Sequence, residues 1–243
     1  MQLALYRSLL ITIPACFAWT AILCTLSFLI MPFAKPETHT RLWRYWARSM
    51  LWLCGARVKV FGLENLVPGQ HYIFASNHLS LIDSPVLVAY LPRTLRFLAK
   101  RELFSIPFMG WYMKAQGHIA IDRGDPRATL RSLSEAAALI QSERKSVLVF
   151  PEGTRSMDGR LQEFKEGAAL LAIRAQTPLV PAAVVGTQRV LPAKSKVIRG
   201  GEVELRIGAP IDVRRYELKQ RAQLTARLRN EVAALIDSSP LKP

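Results

Sequence analysis

His78 and Asp83 are the residues whose types and spacing most directly suggest chemistry. They put an imidazole and a carboxylate five positions apart in Ser76-Asn77-His78-Leu79-Ser80-Leu81-Ile82-Asp83. An aspartate held beside an imidazole selects one ring tautomer and stabilises the imidazolium, which makes a general base. On an unbroken helix, five steps of about 100° leave the two side chains about 140° apart, too far round to meet. They can meet if the chain turns after a strand and starts a helix near Ser80. The flanking residues predict this. His71-Tyr72-Ile73-Phe74-Ala75 reads as a buried strand, and Asp83-Ser84-Pro85 as a first helical turn, where proline is tolerated. A surface histidine beside a capping aspartate is the alternative that these residues alone leave open.

Two later stretches carry similar cargo out of predicted strands: Gly117-His118-Ile119-Ala120-Ile121-Asp122-Arg123 and Phe150-Pro151-Glu152-Gly153-Thr154-Arg155-Ser156. In α/β sheets the carboxyl ends of strands are where ligands bind. Glu152, Gly153, Thr154 and Arg155 offer a closely approaching backbone, a hydroxyl and a guanidinium. Those groups suit a phosphate, which arginine can grip with two parallel hydrogen bonds. Arg123 could close on the same anion. A solvated turn is the alternative for the third stretch taken alone. Phe164-Lys165-Glu166-Gly167 offers either one more cation nearby or an ordinary helix start.

The elements that must position these residues alternate along the chain. Strands are predicted at residues 57–62, 71–75, 95–99, 118–121, 146–150, 179–185 and 203–207. Helices are predicted at 107–116, 125–143, 164–175 and 214–237. That alternation argues for α/β layers in one domain over residues 57–243, with no internal repeat. Residues 1–56 form a membrane-associated helical segment. Residues 8–34 carry no charge and are long enough to span a hydrocarbon core, or to dip into one leaflet as a helix pair if Pro14 kinks them. The run is too long for a signal peptide and no small-residue cleavage site follows. Only Arg7 precedes it, whereas Lys35, Arg41, Arg44, Arg48 and Arg57 follow, which predicts an inner-membrane protein whose remainder faces the cytoplasm. Residues 41–53 interleave arginines with Trp43, Tyr45, Trp46 and Trp52, the pattern of an interfacial helix on an anionic lipid surface.

Composition narrows the partners. The net charge of +15 could serve nucleic acid, anionic lipid or a phosphorylated substrate. Beside an apolar segment the aromatic and basic stretch favours lipid over single-stranded nucleic acid. Cys16, Cys24 and Cys54 form no C-x-x-C pair, so neither a disulfide framework nor a zinc site is expected, and no metal cluster stands out. No G-x-S-x-G elbow, P-loop or G-x-G-x-x-G is present, which argues against a serine hydrolase, nucleotide hydrolysis and hydride transfer.

His78-x4-Asp83, residues 117–123, Phe150-Pro151-Glu152-Gly153-Thr154-Arg155 and Val180-Pro181-Ala182-Ala183-Val184 together resemble the four ordered motifs of glycerolipid acyltransferases. The resemblance covers roughly residues 57 to 210 and is greatest to 1-acyl-sn-glycerol-3-phosphate acyltransferases of the bacterial type. Each motif alone is weak; four in this order and spacing are specific. The resemblance implies an α/β domain with one mixed sheet behind a membrane-docking helical segment. It implies transfer of a fatty acyl group from acyl-CoA or acyl carrier protein to the sn-2 hydroxyl of lysophosphatidate, with no cofactor. His78 and Asp83 then fall on the catalytic pair. Arg123, Glu152, Gly153, Thr154 and Arg155 fall on the phosphate site, and Pro181 on a motif that places acyl chain or acceptor. The same transfer to a lyso-ornithine lipid or a lysophospholipid is the near alternative. A non-catalytic basic membrane-surface protein is the distant one; it accounts for the Trp/Arg helix but not for His78 with Asp83.

Overall fold

The computed structural model describes residues 2–30, 33, 36–92, 94–107, 109–122 and 125–242. Seven strands form one sheet: β1 (Ala56–Phe61), β2 (Ile73–Ser76), β3 (Leu95–Lys100), β4 (Ile119–Ile121), β5 (Ser146–Val149), β6 (Leu179–Val185) and β7 (Gly201–Ile207). Their order is β1-β7-β6-β2-β5-β3-β4. The strands β6, β2, β5, β3 and β4 are parallel, while β7 runs antiparallel to β6 and β1 runs parallel to β7.

The sequence of the central strands explains the layering. Every residue of β2, β5 and β6 is buried, as expected where both sheet faces are covered. Successive side chains point to opposite faces. Ile73, Ala75, Val147, Val149, Ala183 and Val185 therefore pack in one core with Leu133, Ala137, Leu171, Leu224 and Leu228 of three helices, Pro126–Glu143, Gly167–Ala175 and Arg221–Asp237. Tyr72, Phe74, Leu148, Val180, Ala182 and Val184 pack in the other with Val86, Leu87, Ala47 and Leu51 of the helices Asp83–Tyr90 and Pro36–Leu53. The chain leaves β2 toward β3 and β4, then returns to lay β5 and β6 on either side of β2. The carboxyl ends of β2, β5 and β6 thus stand side by side at the point where the winding reverses, the crevice where such sheets bind ligands.

Several boundaries differ from expectation for local reasons. The strand expected at 71–75 is Ile73–Ser76, because the Tyr72 amide donates to Ser146 Oγ and its hydroxyl turns back to Gln70. The helix expected at 107–116 is Met109–Ala115, preceded by a 3-10 turn Arg101–Ser105. The helix expected from 164 starts at Gly167, since the Lys165 amide is drawn to Pro151 O at 2.9 Å. Two 3-10 turns, Val213–Arg215 and Leu218–Gln220, precede the terminal helix Arg221–Asp237. The helix opening at Asp125-Pro126 holds as expected, with Asp125 accepting from the Arg127 and Ala128 amides.

The N-terminal run is one helix, Gln2–Ile30, and among the described residues it is the one long and apolar enough to cross a membrane. The helix pair that a kink at Pro14 would make is not formed; the run continues as one helix through a π-helical turn over Ser8–Thr12. Its buried stripe is mostly small or polar: Ser8, Thr12, Cys16, Cys24 and Ser27. Its outward residues are large and apolar: Leu3, Leu10, Phe17, Ile22, Phe28 and Leu29. That polarity is inverted relative to a helix on a water-soluble core. Contacts to the rest of the protein run along its length. Arg7 donates to Ile198 O at 2.9 Å, Trp46 to Thr20 at 3.0 Å and Trp19 to Ser49 at 2.6 Å, and Phe28 tilts against Trp111.

Candidate active site

The turn required for His78 to reach Asp83 is present. After β2 the chain loops through Asn77-His78-Leu79, and the helix starts at Asp83. Asn77 fixes the loop at its base. Its amide group donates to Val184 O at 3.0 Å and accepts from the Val184 amide at 2.8 Å, stitching β2 to β6. Asp83 Oδ2 then collects three donors: His78 Nδ1 at 2.8 Å, the Leu79 amide at 2.6 Å and the Ser80 amide at 2.7 Å. Its Oδ1 accepts from Thr187 Oγ1 at 2.6 Å. A carboxylate can only accept. Nδ1 of His78 therefore carries its ring proton toward Asp83, and Nε2 keeps its lone pair. Asp83 and Thr187 have no solvent exposure, whereas the His78 side chain is 19% exposed, so the free nitrogen is the reachable part of the cluster. The His78 ring stacks on Phe150, centroids 4.0 Å apart, a face that favours the ring when it becomes a cation.

The loop after β5 supports the same imidazole from behind. Glu152 is buried, and its Oε1 accepts the His78 amide at 2.7 Å while Oε2 accepts the Gln162 amide at 3.3 Å. Burial pushes its carboxyl above the usual range, against the pull of those amides. The Ser156 amide returns a hydrogen bond to His78 O at 2.8 Å. The Glu152 carboxylate is thus turned inward onto the His78 loop, although sequence placed it among the phosphate ligands. Gly153 takes φ +78, the left-handed region that glycine adopts without strain. Thr154 is exposed. Arg155 is half-buried and forms no ion pair among the described residues.

Other predicted residues fall at different depths. Arg123 lies outside the described residues. Pro181 lies inside β6 opposite Ala75, with its ring buried below the loops. The residue of that region that reaches the site is Thr187, which sequence reasoning missed. It follows Gly186, at φ +93, where a Cβ would stand 2.5 Å from Glu202 O. A Gly-Thr pair at the exit of a buried strand was the available signal. His118 sits at the amino end of β4, buried, with Nδ1 accepting the Phe97 amide at 3.1 Å. Burial, reinforced by Arg96, lowers its pKa to about 3, so the ring is neutral. Beside Phe150 an open apolar groove of about 510 Å³ runs past Leu98, Ile121, Leu130, Leu133 and Leu170, with Gly153 and Lys165 among its lining residues. No group of three or more His, Cys, Asp or Glu side chains among the described residues could hold a metal ion.

An imidazole tied at one nitrogen and open at the other, beside an apolar groove, suits transfer of an acyl group to a hydroxyl. The chain belongs to the Acyltransferase family, whose model matches residues 57–185. It is similar to a 1-acyl-sn-glycerol-3-phosphate acyltransferase of Chlamydomonas reinhardtii, 34% identical over 201 residues covering 78% of this chain and 60% of the relative. A chloroplastic enzyme of the same name from Brassica napus is 36% identical over 157 residues, 64% of this chain and 45% of the relative. The Saccharomyces cerevisiae enzyme of that name is 30% identical over 217 residues, 87% of this chain and 69% of the relative. The chain therefore spans about half to two thirds of the length of these curated relatives. Its fold matches the crystal structure of the 1-acyl-sn-glycerophosphate acyltransferase PlsC of Thermotoga maritima, with a TM-score of 0.79 at 23% identity over 96% of this chain and 98% of that one.

Proposed function

We propose that the chain is a membrane-bound acyltransferase that moves a fatty acyl group from acyl-CoA or acyl carrier protein to the sn-2 hydroxyl of lysophosphatidate, giving phosphatidate. The observation that carries this reading is the His78 ring, with Nδ1 held by Asp83 and Nε2 left free of the carboxylate, stacked on Phe150, which lines the groove. In this mechanism Nε2 takes the proton of the acceptor hydroxyl as its oxygen attacks the thioester carbonyl. Asp83 and the face of Phe150 stabilise the resulting imidazolium. Collapse of the tetrahedral adduct expels the thiolate, which takes the proton back from His78. No acyl-enzyme is needed, because the acceptor is itself the nucleophile. Positioned base catalysis contributes about 10²–10⁴-fold, and holding two substrates together supplies the larger remainder.

In this reading Gly153, Thr154 and Arg155, with Arg123, form the phosphate site, and Glu152 acts through the His78 backbone rather than on substrate. The acyl chain lies in the groove beside Phe150. Pro181 acts as a packing residue of β6 beneath these loops. The helix Gln2–Ile30 keeps its large apolar face in lipid while touching the protein from Arg7 to Phe28, so it lies along one leaflet. The catalytic domain faces the cytoplasm, in keeping with the basic residues that follow the helix. The test is an acyl-transfer assay on purified protein with both thioester donors and a panel of lyso-acceptors. The reading expects lysophosphatidate to be the preferred acceptor. Preference for a phosphate-free or diester acceptor would overturn it.

A further inference from the structure

We infer that Lys165 is a second phosphate-binding cation of the acceptor site, working with Arg155 across Gly153-Thr154; this rests on the reading of the acceptor as a phosphate monoester. The inference starts from Gly153. A Cβ placed there would come 3.1 Å from Lys165 Nζ and 3.2 Å from its Cε. The lysine stem therefore lies against the glycine, in space that any other residue would claim. Its backbone is held there too, because the Lys165 amide donates to Pro151 O at 2.9 Å. The ammonium is exposed and forms no ion pair among the described residues.

Three acids of the neighbouring loops are committed elsewhere, and the exposed Glu163, two residues away, forms no ion pair with Lys165. Glu152 is bound to the His78 and Gln162 amides. Glu166 is bound to Arg221 at 2.7 Å. Asp158 accepts from Ser156 Oγ and the Arg160 amide. Lys165 thus lies against the loop at Gly153, and Arg155 belongs to the same loop two residues on, neither with an ion pair among the described residues. A phosphate monoester carries about −1.5 to −2 charges near neutral pH, enough to engage both. Lys165 also lines the apolar groove beside Gly153, so a headgroup at the loop and an aliphatic chain in the groove belong to one continuous surface.

The test is steady-state kinetics on the full chain in lipid vesicles, comparing wild type, Lys165→Met, Lys165→Arg and Arg155→Ala. Each is assayed with lysophosphatidate and with a phosphate-free lyso-acceptor, and with inorganic phosphate as a competitive inhibitor. Lys165→Met should raise KM for lysophosphatidate about 5- to 20-fold, the low end of a charge-assisted contact because the ammonium is exposed. Inhibition by inorganic phosphate should weaken in parallel, KM for the thioester should hold, and Lys165→Arg should retain most of the affinity. A merely structural lysine would move both acceptors alike. An unchanged KM for lysophosphatidate, or equal losses on the two acceptors, overturns the inference while Arg155→Ala still reports on the acceptor reading. A wild-type protein with no preference for the phosphorylated acceptor overturns both together.

Discussion

His78 and His118 are both imidazoles at the margins of parallel strands, and the two ends of the sheet give them opposite fates. His78 leaves the carboxyl end of β2 and meets a carboxylate at Nδ1, with Nε2 reachable. His118 precedes β4 at its amino end, and its Nδ1 is occupied as acceptor of the Phe97 amide. Burial and Arg96 keep that ring neutral down to about pH 3. A base needs a partner for its charged form and a free lone pair. His118 lacks that partner, since its cationic neighbour opposes protonation and its Nδ1 lone pair is already used. The difference lies in the loops around each ring, because only the carboxyl edge collects Asp83, Glu152 and Thr187 around one imidazole.

The largest effect should come from removing the ring that has both. His78→Ala should leave a folded protein whose acyl transfer falls by at least about 10²-fold, measured as kcat on lysophosphatidate. Near-wild-type activity would end the comparison. Thr187→Val sharpens it, because the swap keeps shape and leaves Asp83 Oδ1 buried without its hydroxyl partner. Leaving such a group unsatisfied costs about 1–3 kcal/mol, so kcat should fall roughly 5- to 100-fold with KM unchanged. An unaltered kcat would mean that Asp83 does not need that anchor.

His118 should matter to stability and hardly to catalysis. Its folded pKa lies below the value of about 6.5 for an unperturbed histidine, so between about pH 6.5 and 3 the unfolded chain binds a proton that the folded one does not. Stability contributed by this site is therefore present above pH 6.5 and is lost as pH falls through that window, by about 1.4 kcal/mol per pH unit at most. His118→Gln should flatten that part of the melting-temperature profile and leave kcat within about threefold, the spread expected of a substitution away from the reacting groups. An unchanged acid slope would contradict the neutral ring.

Much of this was legible in sequence, and the omissions share a cause. The turn that joins His78 to Asp83 follows from the strand before it and the Asp-Ser-Pro start after it. The buried strand β6 is an unbroken apolar run, and β5 is one after its first residue, Ser146. The Gly-Thr pair marks a turn at Thr187 but not its partner, because its hydroxyl meets Asp83 across 104 residues of chain and only the β2–β6 pairing brings them together. The inward turn of Glu152 depends on which amides lie behind the loop, which spacing does not encode. The same holds for Lys165, whose meaning depends on the glycine it lies against. Helix starts at 164 and 214 were read early because apolar periodicity continues through segments whose amides bond outside the helix.

The most direct test of the account is the tautomer of each ring, read from the imidazole ¹⁵N shifts of the neutral histidines, with His78→Gln and His118→Gln used for assignment. The account predicts opposite tautomers: His78 with its proton on Nδ1 and a bare Nε2, and His118 with its proton on Nε2 and a bare Nδ1. Asp83→Asn should disturb the first and leave the second unchanged. A neutral His78 protonated on Nε2 would contradict the account, because the nitrogen assigned to accept the acceptor's proton would already hold one.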